Sequence, residues 1–196
     1  MIRVALPVIV FLHGGGWSGG TRTTGPEFKR YFAQDGFAMA SIEYRLTPSI
    51  TFPANVEDVR TAIRWLKANA DAQSLDPDRI CLWGTSAGGH LAAVAALAPR
   101  GTFDGIDNLK YTSDVRCVLD AYGPTRFDVM DAQTAEERPT LQEPVVTINV
   151  GGACGGGRGP VAILHDDPKS PESRLLGAAV QTVPDRVRAF FRRHLR

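Results

Sequence analysis

The sequence predicts an α/β fold with a mainly parallel sheet flanked by helices, and three observations carry that expectation. Short apolar runs, such as VIVFL at 8–12 and RICLW at 79–83, end abruptly at glycines, as strands buried on both faces do. Segments of helical spacing separate these runs, which is the alternation that covers a parallel sheet. The 196 residues suffice for one core and fall short of two, so a single domain over 1–196 is expected.

Val8 to Leu12 is the first strand, and GFAMASIEY at 36–44 is the second; both read as buried. Between them, Gly25 to Asp35 is expected to be helical, because Phe28, Tyr31 and Phe32 fall at i, i+3 and i+4. After Pro53, the stretch Ala54 to Ala70 places Val56, Val59, Ile63 and Leu66 on one face, with Asp58, Arg60, Arg64 and Lys67 largely on another, as in an amphipathic helix. Asp76-Pro77-Asp78 reads as a turn, Arg79 to Trp83 as a strand, and Ala87 to Ala98 as an alanine-rich helix stopped by Pro99. Val115 to Asp120 is a fourth strand, closed by Tyr122-Gly123-Pro124. Downstream, 125–144 is polar, 145–150 is apolar and β-branched, and 151–159 is glycine-rich. The glycine tract lacks the Lys-Ser/Thr ending of a phosphate loop and reads as a flexible loop. The whole of 125–170 is expected to be a cap or a flexible insertion, and Val183 to Leu195 recovers helical spacing with its arginines on a solvated face.

Composition removes several function classes. Twenty-two Lys and Arg face 21 Asp and Glu for a net charge of +1, without a basic block, so no nucleic-acid footprint is expected. No apolar stretch approaches the ~20 residues of a membrane span. MIRVALPVIVFL has the look of a charged end followed by an apolar region, but no small-x-small site follows it, so a strand and a cytoplasmic location are expected. Cys81, Cys117 and Cys154 are far apart and are expected to be reduced core thiols. No metal or organic cofactor is expected, since no His, Cys or carboxylate cluster has ligand spacing.

The chemistry lies in two short motifs. Gly84-Thr85-Ser86-Ala87-Gly88 fits G-x-S-x-G directly after an expected strand and before an expected helix. A strand that turns abruptly into a helix exposes its apex residue at the carboxyl edge of the sheet, and the flanking glycines relieve the crowding. Ser86 is therefore the candidate nucleophile, and the positive end of the following helix favours negative charge beside it. A plain tight turn would use the same residue types; the strand-turn-helix setting favours the nucleophile. The second motif, His13-Gly14-Gly15-Gly16-Trp17, follows the first strand. Glycines let backbone amides approach a ligand oxygen closely, so Gly15 and Gly16, with the amide of Ala87, are candidates for an oxyanion hole. Each such donor is worth roughly 3 kcal/mol in a transition state. A glycine turn with a structural histidine is the alternative. Trp17, Tyr44 and Tyr122 fall next to strand ends on the same edge, where they would wall an acyl or aromatic group or simply pack the core.

The two motifs, with EYRLTP at 43–48, FPANVEDVRTAIRWLKANA at 52–70, DPDRICLWGTSAGGHLAA at 76–93, YGPTRFDVMDAQ at 122–133 and SPESRLLGAAVQ at 170–181, resemble the α/β-hydrolases of the HGGG class. These are the hormone-sensitive-lipase-like and bacterial feruloyl or acetyl esterase group. The resemblance covers most of 8–133, a fragment near 170–188 and the terminal AFFRRHL. It implies hydrolysis of carboxylic esters through an acyl-enzyme on Ser86, with a histidine base oriented by a carboxylate and no cofactor. It departs from the family's pattern where the acid and the histidine usually sit. Family members carry an HGxxDxxVP-like stretch and a GHGF-like loop before the terminal helix, whereas PDRVR at 184–188 runs directly into AFF. The family's early antiparallel strands are likewise expected to be absent.

Four histidines are available. His13 belongs to the glycine turn, His90 lies one helical turn past Ser86, and His194 sits among arginines. His165, beside Asp166 and Asp167, is the candidate base; a solvated polar loop is the alternative reading of that segment. Asp120, at the end of the strand after the nucleophile strand, is the candidate orienting acid, with Asp166 and Asp167 as others. The expected substrate is a small-molecule ester with a short-chain or aromatic acyl group. The alternative is a catalytically weak or inactive relative that binds small acyl ligands or a protein partner through the same cleft. Loss of sheet elements leaves an open edge, so the chain is expected to form a homo-oligomer through that edge or to be poorly stable alone.

Overall fold

A computed structural model describes residues 5–26, 28, 36–127 and 174–175 of the chain. Within them, β1 (Leu6–Leu12), β2 (Ala38–Ile42), α1 (Ala54–Ala68), α2 (Ala70–Gln73), β3 (Leu75–Thr85), α3 (Ala87–Leu97) and β4 (Cys117–Ala121) follow in order. The strands form one sheet in the order β2-β1-β3-β4, and each neighbouring pair is parallel. This is the expected α/β architecture.

The alternation of β-strand side chains decides which residues meet the helices. Val8, Val10 and Leu12 of β1 and Ile80 and Leu82 of β3 are buried in one cluster with Val56, Val59, Ile63 and Leu66 of α1 and Leu91, Ala92 and Ala95 of α3. The alanines of α3 let it approach the sheet closely, and Pro99 follows its C-cap Ala98, so the helix ends where Pro forbids its continuation. On the opposite face, Phe11 meets Trp83 edge-on at 5.0 Å and Phe28 at 5.4 Å. Leu175 reaches the core from far along the chain, and its carbonyl accepts a hydrogen bond of 2.7 Å from the Phe52 N–H.

The structure corrects four sequence expectations. β2 is half-buried along its whole length rather than buried, because it is an outer strand among the described residues. The turn at Asp76-Pro77-Asp78 lies inside β3: the ladder with β1 steps from Leu6↔Leu75 to Val8↔Ile80, so the extra residues bulge outward. Asp76 closes that bulge by accepting from the Asp78 N–H at 3.0 Å and from Arg79. Cys81 and Cys117 are not reduced thiols; they form a disulfide, because the β3/β4 register sets them directly opposite each other.

The fourth correction concerns the polar face of α1. Arg60 and Arg64 are buried, at 2% and 1% exposure, under the segment 98–114. Arg60 donates to Asp104 at 2.7 Å and to the carbonyl oxygens of Ala95 and Ala98 at 2.9 and 3.2 Å. Arg64 donates to Asp104 at 3.2 Å, to the Asp107 carbonyl at 2.8 Å and to Thr61 at 3.0 Å. Burial alone would raise the Asp104 pKa, but the hydrogen bond and charge of Arg60 outweigh it and hold the carboxyl below its usual range. The cluster fastens the connection between α3 and β4. The expected helix at 25–35 and the expected cap or insertion at 125–170, each apart from its described positions, with Cys154 and the helix at 183–195, lie outside the described residues.

Removing the Asp104 carboxylate takes from two buried guanidinium groups the counter-charge that they share. Asp104→Ala is expected to lower unfolding free energy by about 3 kcal/mol in urea titration. Arg22→Ala, which breaks the exposed pair with Glu43, is expected to change it by less than about 1 kcal/mol.

Candidate active site

The loops after β1 and β3 leave the sheet in opposite directions, since β1 leads to β2 on one side and β3 leads to β4 on the other. Such a divergence at adjacent strand ends opens a crevice at the carboxyl edge. Both sequence motifs stand there. Ser86 is the residue between β3 and α3, with φ 52° and ψ −122°, a backbone region that a non-glycine residue occupies only when its surroundings impose it. Its N–H donates to the Ala121 carbonyl at 2.9 Å, and its carbonyl accepts from the His90 N–H at 3.1 Å. The hydroxyl thus sits at the N-terminus of α3, whose first N–H groups lack intrahelical partners.

Glycine is required on both sides of this turn. A Cβ on Gly84 would overlap the Gly88 carbonyl, and one on Gly88 would overlap the carbonyl oxygens of Leu12 and His13. The start of α3 therefore rests directly on the end of β1. Gly14 lies against the turn from the other strand, and a Cβ there would stand 3.3 Å from that of Ser86. Gly15 at φ 125° and Gly16 at φ 57° then fold the loop back, and the Gly15 carbonyl is consumed inside it by the N–H groups of Ser18 and Gly19 at 3.1 and 3.0 Å. The structure thus sets Gly14 directly against Ser86 at the carboxyl ends of β1 and β3, with Gly15 and Gly16 next to Gly14 in the chain and Ala87 next to Ser86.

The two described histidines are committed elsewhere. His13 is fully buried and stacks on Tyr44 at 4.3 Å. Its Nδ1 lies 2.8 Å from the Gly14 carbonyl, which can only accept, so Nδ1 carries a proton, and the buried Nε2 has no partner among the described residues. The Tyr44 hydroxyl donates to the His13 carbonyl at 2.7 Å, and burial pushes that phenol well above its usual pKa. His90 accepts at Nδ1 from the Trp17 indole N–H at 3.3 Å. Burial pushes its pKa down to about 4, so near neutral pH it is an uncharged acceptor. The Asp120 carboxylate accepts from the Gly123 N–H at 2.9 Å and faces Gly89 in the first turn of α3, where a Cβ would overlap it. His165 and His194 lie outside the described residues. Of the three aromatic residues expected at this edge, Trp17 and Tyr44 belong to the core at 1% and 3% exposure, and Tyr122 is 77% exposed. The partner of the Trp17 indole was not readable in sequence; the only signal was that both Trp17 and His90 flank the two motifs.

An imidazole held at about 4 in the fold and 6.5 when unfolded takes up its proton only in the unfolded chain across that interval. Its contribution to stability is complete above pH 6.5 and is lost as pH falls towards 4. Between about pH 7 and about pH 4.5, this group is expected to remove up to about 3 kcal/mol, and that component is expected to vanish in His90→Gln, as urea titrations at both values would measure.

Comparison with known proteins gives the relationships of this site. The BD-FAE family profile matches residues 2–191. Carboxylesterase NlhH of Mycobacterium tuberculosis is 41% identical over 101 residues, which are 51% of this chain and 32% of that protein. Esterase LipC of the same organism is 35% identical over 141 residues, covering 66% of this chain and 32% of that protein. The matched stretches thus span about a third of these relatives' length. Among solved structures, a truncated form of a carbohydrate esterase from gut microbiota superposes with a TM-score of 0.69 at 22% identity, over 94% of this chain and 59% of that one, which is a likeness of fold. With its parallel sheet, the serine at the β3–α3 turn and the glycine loop after β1, the chain belongs to the BD-FAE family of hormone-sensitive-lipase-like α/β-hydrolases.

Proposed function

We propose that this chain hydrolyses carboxylic esters of small molecules through an acyl-enzyme on Ser86. The observation that carries the reading is the strained Ser86 backbone at the start of α3, set against Gly14 across the strand ends; the carboxylesterase relatives support it. In this reaction the Ser86 Oγ bonds to the acyl carbon while its proton passes to a base, and the carbonyl oxygen gains charge. The amides of Gly15, Gly16 and Ala87 take up that charge. Collapse expels the alcohol, which receives the proton, and water then releases the acid by the same route.

His165 is the proposed base, from its place in the sequence beside Asp166 and Asp167; His13 is fully buried, and His90, accepting at Nδ1, carries its proton on Nε2 and so cannot take another there. Asp120 is the proposed orienting acid from its place at the end of β4. Tyr122 follows Ala121, whose carbonyl binds the Ser86 N–H, and its exposed ring offers a wall for a short or aromatic acyl group.

A fluorophosphonate probe is expected to label Ser86 in the folded wild type and not in Ser86→Ala, with peptide mass spectrometry locating the adduct. An unlabelled wild type would sink the reading. His165→Ala is expected to reduce turnover of p-nitrophenyl acetate to the residual level that an oxyanion hole alone supports, which is ~10³ to 10⁴-fold above water. Labelling of Ser86 without turnover in the wild type would favour the second reading, a weak or inactive relative that holds acyl ligands, to which the full burial of His13 and the Nε2-protonated form of His90 lend support.

A further inference from the structure

The glycine loop poses a mechanical problem. Gly15, Gly16 and Trp17 have successive φ values of 125°, 57° and 57°. Two glycines adopt such angles freely, but a bulky Trp does not, and a left-handed non-glycine residue persists only where other contacts over-determine it. Trp17 is 1% exposed, and its carbonyl accepts from the Thr47 N–H at 2.9 Å. Its indole N–H would be a buried donor without a partner, were it not for His90 Nδ1 at 3.3 Å.

His90 lies on the first turn of α3, and its own N–H donates to the Ser86 carbonyl at 3.1 Å. Two hydrogen bonds, one from the Trp17 indole to the His90 ring and one from the His90 backbone to Ser86, thus link the residue that ends the glycine loop to the serine. The Trp17 and His90 rings also meet edge-on at 5.4 Å, and Phe127 packs against both, at 5.4 Å from Trp17 and 5.2 Å from His90. We infer that Trp17 and His90 are a positioning pair whose indole-to-imidazole hydrogen bond sets the Gly15 and Gly16 amides at the height of the Ser86 hydroxyl. Neither side chain touches the reacting atoms; both act through the backbone that carries them. The assignment rests on the roles proposed above for Ser86 and the two glycine amides.

Three variants of the full chain test it. His90→Leu removes the acceptor, Trp17→Phe removes the donor while keeping a ring, and His90→Asn restores an acceptor oxygen near the place of Nδ1. Misplacing the amides weakens a contact made to the transition state. The first two are therefore expected to lower kcat on p-nitrophenyl acetate by about tenfold or more with KM nearly unchanged. Amide hydrogen exchange at Gly15 and Gly16, read by NMR, is expected to accelerate by about tenfold in the same two variants, with both effects largely reversed in His90→Asn. Unchanged exchange and unchanged kcat in His90→Leu and Trp17→Phe would overturn the assignment. So would a kcat loss in His90→Asn equal to that in His90→Leu and tracking only the fall in melting temperature. A wild type that neither turns over ester nor reacts with fluorophosphonate would defeat the hydrolase reading instead, and the exchange comparison would still decide whether the pair holds the loop.

Discussion

The close approach of α3 to the end of β1 is the constraint on which the rest of the site depends. Gly88 lies so near the carbonyl oxygens of Leu12 and His13 that no side chain fits between helix and strand, and Gly84 admits the Gly88 carbonyl in the same way. Protein interiors resist deformation at such contacts because neighbouring atoms have nowhere to go. With the helix pressed onto the strand ends, the chain has one residue in which to reverse from extended to helical. That residue is Ser86, and its positive φ is the local cost of the approach. The same contact brings Gly14 beside Ser86, so the loop after β1 and the turn after β3 are built as one unit although 70 residues separate Gly16 from Ser86.

Around this contact the chain uses polar groups as fasteners. Arg60 and Arg64 carry their charge into a region where isolated ions are strongly disfavoured, and Asp104 with several backbone carbonyls compensates them. These bonds fix the connection that delivers β4 to its place beside β3. From there, the Ala121 carbonyl holds the Ser86 N–H. A charged cluster on the far side of α1 is thereby linked, through ordinary chain geometry, to the height at which the serine stands.

Much of this was legible in the amino-acid sequence because it is local. The strands at β1 and β3, the helix after Pro53 and the serine turn each follow from a period, a breaker or a glycine within a few residues, and the structure reproduces them within a residue or two at most boundaries. What was not legible depends on pairings across the fold. Arg60 and Arg64 have the spacing of a solvated face, and only their distant partner Asp104 reveals that the face is covered. Cys81 and Cys117 look like separate apolar positions until the β3/β4 register aligns them. Trp17 and Tyr44 stand next to strand ends, as a substrate wall would, but both are turned into the core. Their partners, His90 and His13, explain the inward turn, and neither pairing has a signature in sequence spacing.

The disulfide between Cys81 and Cys117 joins positions 36 residues apart, and that interval contains the serine turn, all of α3 and Asp104. In the oxidised chain these parts occupy a single covalent ring. By loop-closure entropy, a ring of that size removes about 4 kcal/mol of freedom from the unfolded ensemble, setting aside enthalpic contributions. A backbone cut within the ring would leave both halves tethered through sulfur, so the serine and the strand that holds its amide would stay at high effective concentration even after the chain is severed.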